Sequence, residues 1–477
     1  MVEKSQTARL LDTAILGCLF LFAIAAPNSI AATQTAWLVG MALWLLRFAF
    51  YPRPKVFRTP LDYFLLGFFI LSGLSAVLSY EPMVSIGKLR AASLFTIVYL
   101  VSQTVPSRRV IRLLALTLVA SCMISVIYTG AERLLGKGVK IHGISETSPL
   151  FKAGVRDGDT LLAADGEKLH DPQELVNELS KPNKKVAIVT AYRHEWVLTC
   201  KVPRGTLLPG NSALEQLGIG NWSKGRDWRA SGLYGNFVTF AEALQLILAL
   251  AVGLLVALPS KRSKWGLLLF LAVTGMVGAL VLTVTRASWL AFAISTALIL
   301  ILSVSRRTVL LAGLLAIPLI LAGLFVLQQK RNVGFIDQQD QSTSWRETVW
   351  REGFHLLVSK PRHLLVGIGM DSIKSHWREW GLFDKGRLPW GHMHSNPLQI
   401  ALERGVPALL VWLGLLFVYA RTIWRLVRTR SGSDGVVDGR NNGSGIGEEN
   451  DPRLHWIEHG ILLGALGGLV GFFISGL

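Results

Sequence analysis

Charge is what this sequence has least of for its length. Of 477 residues only 17% are charged and 51% are hydrophobic, with a positive mean hydropathy. A soluble chain of this size is charge-richer and divides into two or three domains, so an ordinary soluble protein is excluded. Cysteine is nearly absent. Cys18 and Cys122 stand in apolar runs and Cys200 in a polar stretch, which gives no obvious disulfide pair; small buried apolar residues are the expectation. No apolar run contains His-Glu-x-x-His or a Gly-x-Ser-x-Gly-like stretch, which speaks against an intramembrane protease. A transporter or flippase would carry ionisable residues near mid-run and repeated halves; the mid-run stretches here are nearly charge-free.

What is present is a series of apolar runs of roughly 17–25 residues, the length of a bilayer-crossing helix. The expectation is an all-α polytopic membrane protein with about eleven spans, near 10–30, 32–50, 61–79, 89–104, 110–130, 236–258, 265–284, 287–304, 308–327, 397–424 and 456–477. Every second connection is basic: Arg47, Arg53, Lys55 and Arg58; Arg108, Arg109 and Arg112; Lys261, Arg262 and Lys264; Arg306 and Arg307; Arg421, Arg425, Arg428 and Arg430. With Lys4 and Arg9 ahead of the first run, the positive-inside rule puts the N-terminus in the cytoplasm and the long connections 131–235 and 328–396 outside it. The net charge of +18 then reads as orientation signal and anionic-lipid contact, not as a nucleic-acid footprint. Pro27 after Ala25-Ala26 makes a poor cleavage site, so the first run reads as a retained span.

Two segments break the pattern. Residues 431–455 are almost free of apolar side chains and read as a flexible cytoplasmic linker ahead of a last helix at 456–477, whose Gly464, Gly467, Gly468 and Gly471 are spaced for close packing. Residues 131–205 read as a small α/β module. Val139–Ile144, Thr160–Ala164 and Val186–Tyr192 alternate as strands, and Asp171–Leu179 reads as an amphipathic helix. Within it, the run Ser148 to Asp159, with Asp165-Gly166 as the next turn, resembles a bacterial PDZ domain. That resemblance implies peptide capture by strand addition, with a groove beside Val139–Ile144; a ligand-free spacer is the other reading, and both stay open. Asp157-Gly158-Asp159 matches a metal-binding Asp-x-Asp, but its place in a Gly-Asp turn argues against that role.

Three stretches carry polar residues at the outer edge of spans, where the positive-inside rule does not explain them. Arg229 to Asn236 enters the sixth span, and Thr285-Arg286-Ala287-Ser288-Trp289-Leu290 links the seventh and eighth. Trp390 to Gln399 includes His392 and His394, with Asn396 as the expected N-cap, Pro397 at the first helical position and Gln399 at capping-box spacing. Arginine suits phosphate because its planar fork grips oxygens and stays charged. A neutral imidazole before a helix N-terminus suits a hydroxyl proton. Singly, each has a bland reading: an interfacial Arg that snorkels, or a polar loop histidine.

Together, Arg229, Thr285-Arg286 through Leu290, and His394 with Leu398, Gln399, Glu403 and Gly405 resemble the O-antigen ligase family. That family includes polysaccharide polymerases and protein O-oligosaccharyltransferases. Ser344-Trp345-Arg346-Glu347 with Trp350, and Gly367-Ile368-Gly369-Met370, resemble the family's external-loop helix and following turn. Ser344 and Glu347 would also form a capping box, and Trp345, Val349, Trp350 and Phe354 an apolar face suited to the membrane.

The resemblance implies a GT-C-like core at 206–430, behind the first helices at 1–130, and a metal-independent, cofactor-free inverting transfer. The donor would be a glycan on undecaprenyl diphosphate, and the acceptor lipid A-core, another glycan or a protein. Arg229 and Arg286 would hold the diphosphate, His394 would act as base or orient the acceptor, and Arg346, His392, Asn396 and Glu403 would line the same pocket. Ser395 stands where many family members have Asn, the PDZ-like insertion is not usual, and members generally continue beyond the position of Leu477.

Overall fold

The computed structural model of the chain describes residues 5–182, 185–193, 196–226, 228–305, 307, 341–388, 391–433 and 455–476. The ninth expected span (308–327), the start of the loop expected at 328–396 and most of the linker expected at 431–455 lie outside those residues. Two compact units emerge. A helical unit takes Met1–Met123, Ala241–Val277 and Thr285–Leu477, and a sheet-bearing unit takes Ile124–Phe240 and Gly278–Val284.

The helices run in order α1 Gln6–Ala25, α2 Ile30–Arg47, α3 Asp62–Val77, α4 Pro82–Ala92, α5 Ile97–Thr104, α6 Arg108–Leu135, α7 Pro149–Lys152, α8 Pro172–Ser180, α9 Ala213–Leu217, α10 Phe237–Ala257, α11 Lys264–Leu282, α12 Arg286–Ser303, α13 Gln341–Val358, α14 Pro361–Val366, α15 Ile373–His376, α16 Asn396–Arg404, α17 Val406–Ser433 and α18 His455–Ser475. Among the described residues, eight helical stretches are long and apolar enough to cross a membrane: α1, the α4–α5 stretch Pro82–Thr104, α6, α10, α11, α12, α17 and α18. The fold is therefore that of a multi-pass membrane protein. The expected second and third spans also form helices, α2 and the sixteen-residue α3, though neither joins that set of eight.

Backbone approach and a few buried charges hold the helical unit together. Gly253 of α10 meets Gly460 and Gly464 of α18; a Cβ on Gly464 would stand 2.5 Å from Leu250 Cα. Such closeness is how helices associate where burial alone supplies little drive. Glu458 accepts from Arg112 Nη2 at 3.0 Å, with both side chains under a tenth exposed. Arg47 is equally buried and donates to Asp12 at 2.8 Å and to the Phe50 and Pro52 carbonyls. A separate core under α13 to α16 centres on Val349, Ile368, Phe383, Met393 and Leu402.

The sheet-bearing unit contains β1 Lys137–Ile144, β2 Thr160–Ala164, β3 Glu167–Lys168, β4 Val186–Arg193, β5 Trp196–Pro203 and β6 Ile219–Gly225. The order is β5-β4-β2-β1-β6, with β3 on β2. The expected strands and α8 form where alternation and the Asp171 cap put them, Asp171 accepting from the Glu174 N–H at 3.0 Å. Asp165 (φ 50°) and Gly166 (φ 91°) make the left-handed turn between β2 and β3. Asp159 is fixed by Arg193 through two 2.7 Å bonds.

Two features differ from expectation. The sheet does not end at 205, because Ile219–Gly225 pairs with β1 from Ile144↔Ile219 to Lys137↔Gly225. In consequence β1 is interior, paired with β6 along its length and with β2 at Val139 and Lys140, so β6 occupies one side of the groove expected beside Val139–Ile144. On that side the edge is β6.

Candidate functional site

Arg229 lies in the sheet-bearing unit; Arg286, Arg346, His392, His394, Asn396 and Glu403 lie in the helical one. The Arg229 guanidinium donates to the Thr283 and Val284 carbonyls, both at 2.8 Å. Its face covers the Phe237 ring at 3.7 Å, and its backbone N–H donates to Tyr192 Oη at 3.2 Å. The two carbonyls follow the last residue of α11, where acceptors are unsatisfied and the helix dipole is negative. Arg229 thus clasps the end of α11. That clasp holds Val284 at φ 53°, a left-handed conformation that costs a β-branched residue about 1–2 kcal/mol. The next residues are Thr285 and Arg286. Arg286 opens α12 half-buried, and the Thr285 side chain supplies no cap bond.

The second cluster is built around the start of α16. The helix begins one residue earlier than expected. Ser395 is the N-cap, accepting from the Leu398 N–H at 3.5 Å, and Asn396 is the first helical residue. The Asn396 N–H donates to the Gly476 carbonyl at 2.6 Å. Ser and Asn are comparable N-caps, so Ser395 serves the helix start as an asparagine would. His394 stands just before the cap at φ 50°. Met393 is pinned on both sides: its N–H donates to Gln399 Oε1 and its carbonyl accepts from Trp350 Nε1, each at 2.8 Å.

The His394 ring meets Trp345 edge-on at 4.5 Å and His392 at 6.4 Å. Part of the ring stays open, yet its pKa is pushed down to about 4, by loss of water around it and by the Arg346 and His392 charges. At neutral pH the imidazole is therefore uncharged.

Glu403 is buried and already committed. One carboxylate oxygen accepts from Gln399 Nε2 at 2.7 Å and from the Asp371 N–H at 3.0 Å. Its backbone carbonyl accepts from the Gly369 N–H at 3.0 Å and from Ser75 Oγ at 2.6 Å. It shapes the Gly367–Asp371 turn. Only glycine fits at Gly367, whose Cβ would fall 2.4 Å from the Glu403 carbonyl. Asp371, at φ 63°, is held by Lys88 and Lys374 at 2.9 and 2.8 Å. Helix α13 begins at Gln341, so Ser344 is inside it and does not form the expected capping box with Glu347. Of the expected apolar face, Val349 is core, whereas Phe354 is 57% exposed.

Sequence reasoning missed the relay from Met393 through Gln399 and Glu403 to Asp371. By spacing alone Gln399 fits a capping position, and only through-space contact reveals its bonds to Met393 and Glu403.

The fold defines a class, the multi-pass membrane proteins, here with Arg286 opening α12 and an uncharged His394 just ahead of α16. The particular family comes from residues 268–413, which match the family model described as O-Antigen ligase. The chain is a membrane protein carrying a domain of that family. No curated protein matches the chain. The match includes Arg286, Arg346, His392, His394, Asn396 and Glu403; the Arg229 stretch and the six-stranded sheet lie ahead of it. At the coarse level the family carries, the function is glycan transfer or ligation in a membrane, from a lipid-linked donor to a glycan acceptor.

Proposed function

We propose that this protein moves a glycan from undecaprenyl diphosphate to lipid A-core, or a similar acceptor, on the periplasmic face of the bacterial inner membrane. The acceptor oxygen attacks the anomeric carbon, the bond to the diphosphate oxygen breaks with inversion, and the electron pair leaves on the diphosphate. A diphosphate is a good leaving group, so fixed cations suffice to stabilise it and no general acid is required. Arg286 is the cation for that role. Arg229 is the second arginine that the family resemblance assigns to the diphosphate, and Arg346 lies close enough to His394 to act electrostatically on it.

The observation that carries the reading is the uncharged His394 in a left-handed position before α16, with Arg346 beside it, inside the O-antigen ligase match. An imidazole that stays neutral orients the acceptor by accepting a hydrogen bond from a hydroxyl beside the attacking one.

The test uses purified protein in lipid with an undecaprenyl-diphosphate glycan, offered lipid A-core or no acceptor. Arg286→Ala and His394→Ala run alongside. Transfer to lipid A-core that both variants lose supports a ligase. A glycan ladder without added acceptor means a polymerase. No product in either case, from folded protein, points to a protein acceptor or to a non-catalytic scaffold.

A further inference from the structure

Glu242 is an acidic side chain inside an apolar, membrane-length helix. Asn236 Oδ1 accepts from the Val238 and Thr239 N–H groups at 2.9 and 3.0 Å, which sets the start of α10. Glu242 then lies about 8 Å along the helix at about 1.5 Å per residue. It is exposed, and among the described residues no ion pair or hydrogen bond engages it.

Contacts within the helical unit fix its level. Gly253 meets Gly460 and Gly464, while a Cβ on Gly471 would stand 1.7 Å from Gln245 Nε2 and 2.5 Å from Ser295 Oγ. Helices α10 and α18 are therefore antiparallel, with Gln245, Ser295 and Gly471 in one layer. Glu242 is about 5 Å from that layer toward the start of α10, and Gly476 about 8 Å from it in the same direction. Gly476 is the residue whose carbonyl accepts from Asn396, two positions after His394. At about 100° per residue, Glu242 and Gly253 fall within about 20° of each other around α10, so Glu242 is on the side that α18 packs against, yet it is open. The carboxylate thus reaches the layer where α16 begins.

Other carboxylates around α16 are occupied: Glu403 by Gln399 and the Asp371 N–H, Asp371 by two lysines, and Glu352 by the Phe383 N–H. The His394 ring lies against Trp345 and within reach of the Arg346 charge, which opposes a second cation there, whereas a carboxylate becomes neutral on taking a proton.

We infer that Glu242 is the general base, taking the proton of an acceptor saccharide hydroxyl as its oxygen attacks the anomeric carbon and the diphosphate leaves with the bonding pair. This rests on the transfer reading. In-line displacement puts the base across the anomeric carbon from the leaving group, so a position apart from the diphosphate cations is the one required.

The experiment measures glycan transfer and donor binding by wild-type protein, Glu242→Gln and Glu242→Ala in lipid, with and without added formate. The expected result is a fall in kcat of about 10²–10⁴-fold in both variants, unchanged donor affinity, and partial recovery of Glu242→Ala by formate. Wild-type turnover in Glu242→Gln, or loss of donor binding with no formate rescue, overturns the role of Glu242 and leaves transfer intact. Absence of transfer by the wild-type protein with every acceptor overturns the transfer reading itself, and the inference with it.

Discussion

Val284, Asp371 and His394 are left-handed at φ 53°, 63° and 50°, and all fall inside the O-antigen ligase match. Non-glycine residues take that conformation only where their surroundings over-determine it, and such places concentrate at functional sites. At His394 the surroundings also set protonation. Its pKa of about 4 lies below the ordinary value near 6.5, so the folded state disfavours the proton. The stability this contributes is complete above about pH 6.5 and is lost as pH falls toward 4. Histidine-selective NMR should find the ring neutral at pH 5.5, and Arg346→Gln should move its pKa upward; titration near 6.5 in the wild-type protein would refute this environment. Arg112 and Glu458 show the opposite use of charge. Glu458→Ala leaves a buried guanidinium short of its anion and should cost about 3 kcal/mol, read as a lower unfolding temperature in detergent, whereas an unshifted transition would mean the pair is solvated.

Among the elements, those with strong local signals were legible. Strands β1, β2 and β4 and helix α8 lie within two residues of where alternation and the Asp171 cap put them. Strand β6 was not, because Ile-Gly-Asn-Trp-Ser-Lys-Gly has neither alternation nor β-branched density; its pairing with β1 makes it a strand. The cap of α16 shifted by one residue for a similar reason, since Ser395 and Asn396 are equally good candidates and the carbonyl of Gly476 decides between them. Close approach of backbones was legible as glycine spacing in α18, though not the partner it meets. Gly464→Leu should separate α10 from α18, because even a Cβ stands 2.5 Å from Leu250 Cα. The variant should unfold at a lower temperature in detergent, and an unshifted transition would count against the packing.

For the molecule as a whole, composition and run length sufficed to announce a multi-pass membrane protein, because both are one-dimensional signals. How the site is held was not legible. Arg229 donates to the Thr283 and Val284 carbonyls, and Glu403 secures the Gly367–Asp371 turn. Both facts depend on groups far away in sequence. The division into two units, each with its own core, gives a molecular-scale prediction. Asp159 is 1% exposed and receives two bonds from Arg193, so Asp159→Asn should cost about 2–3 kcal/mol. That loss should fall on the sheet-bearing unit. Hydrogen exchange in lipid should accelerate across β1 to β6 while α13 to α16 keep their protection; acceleration of both together would show that the two units unfold as one.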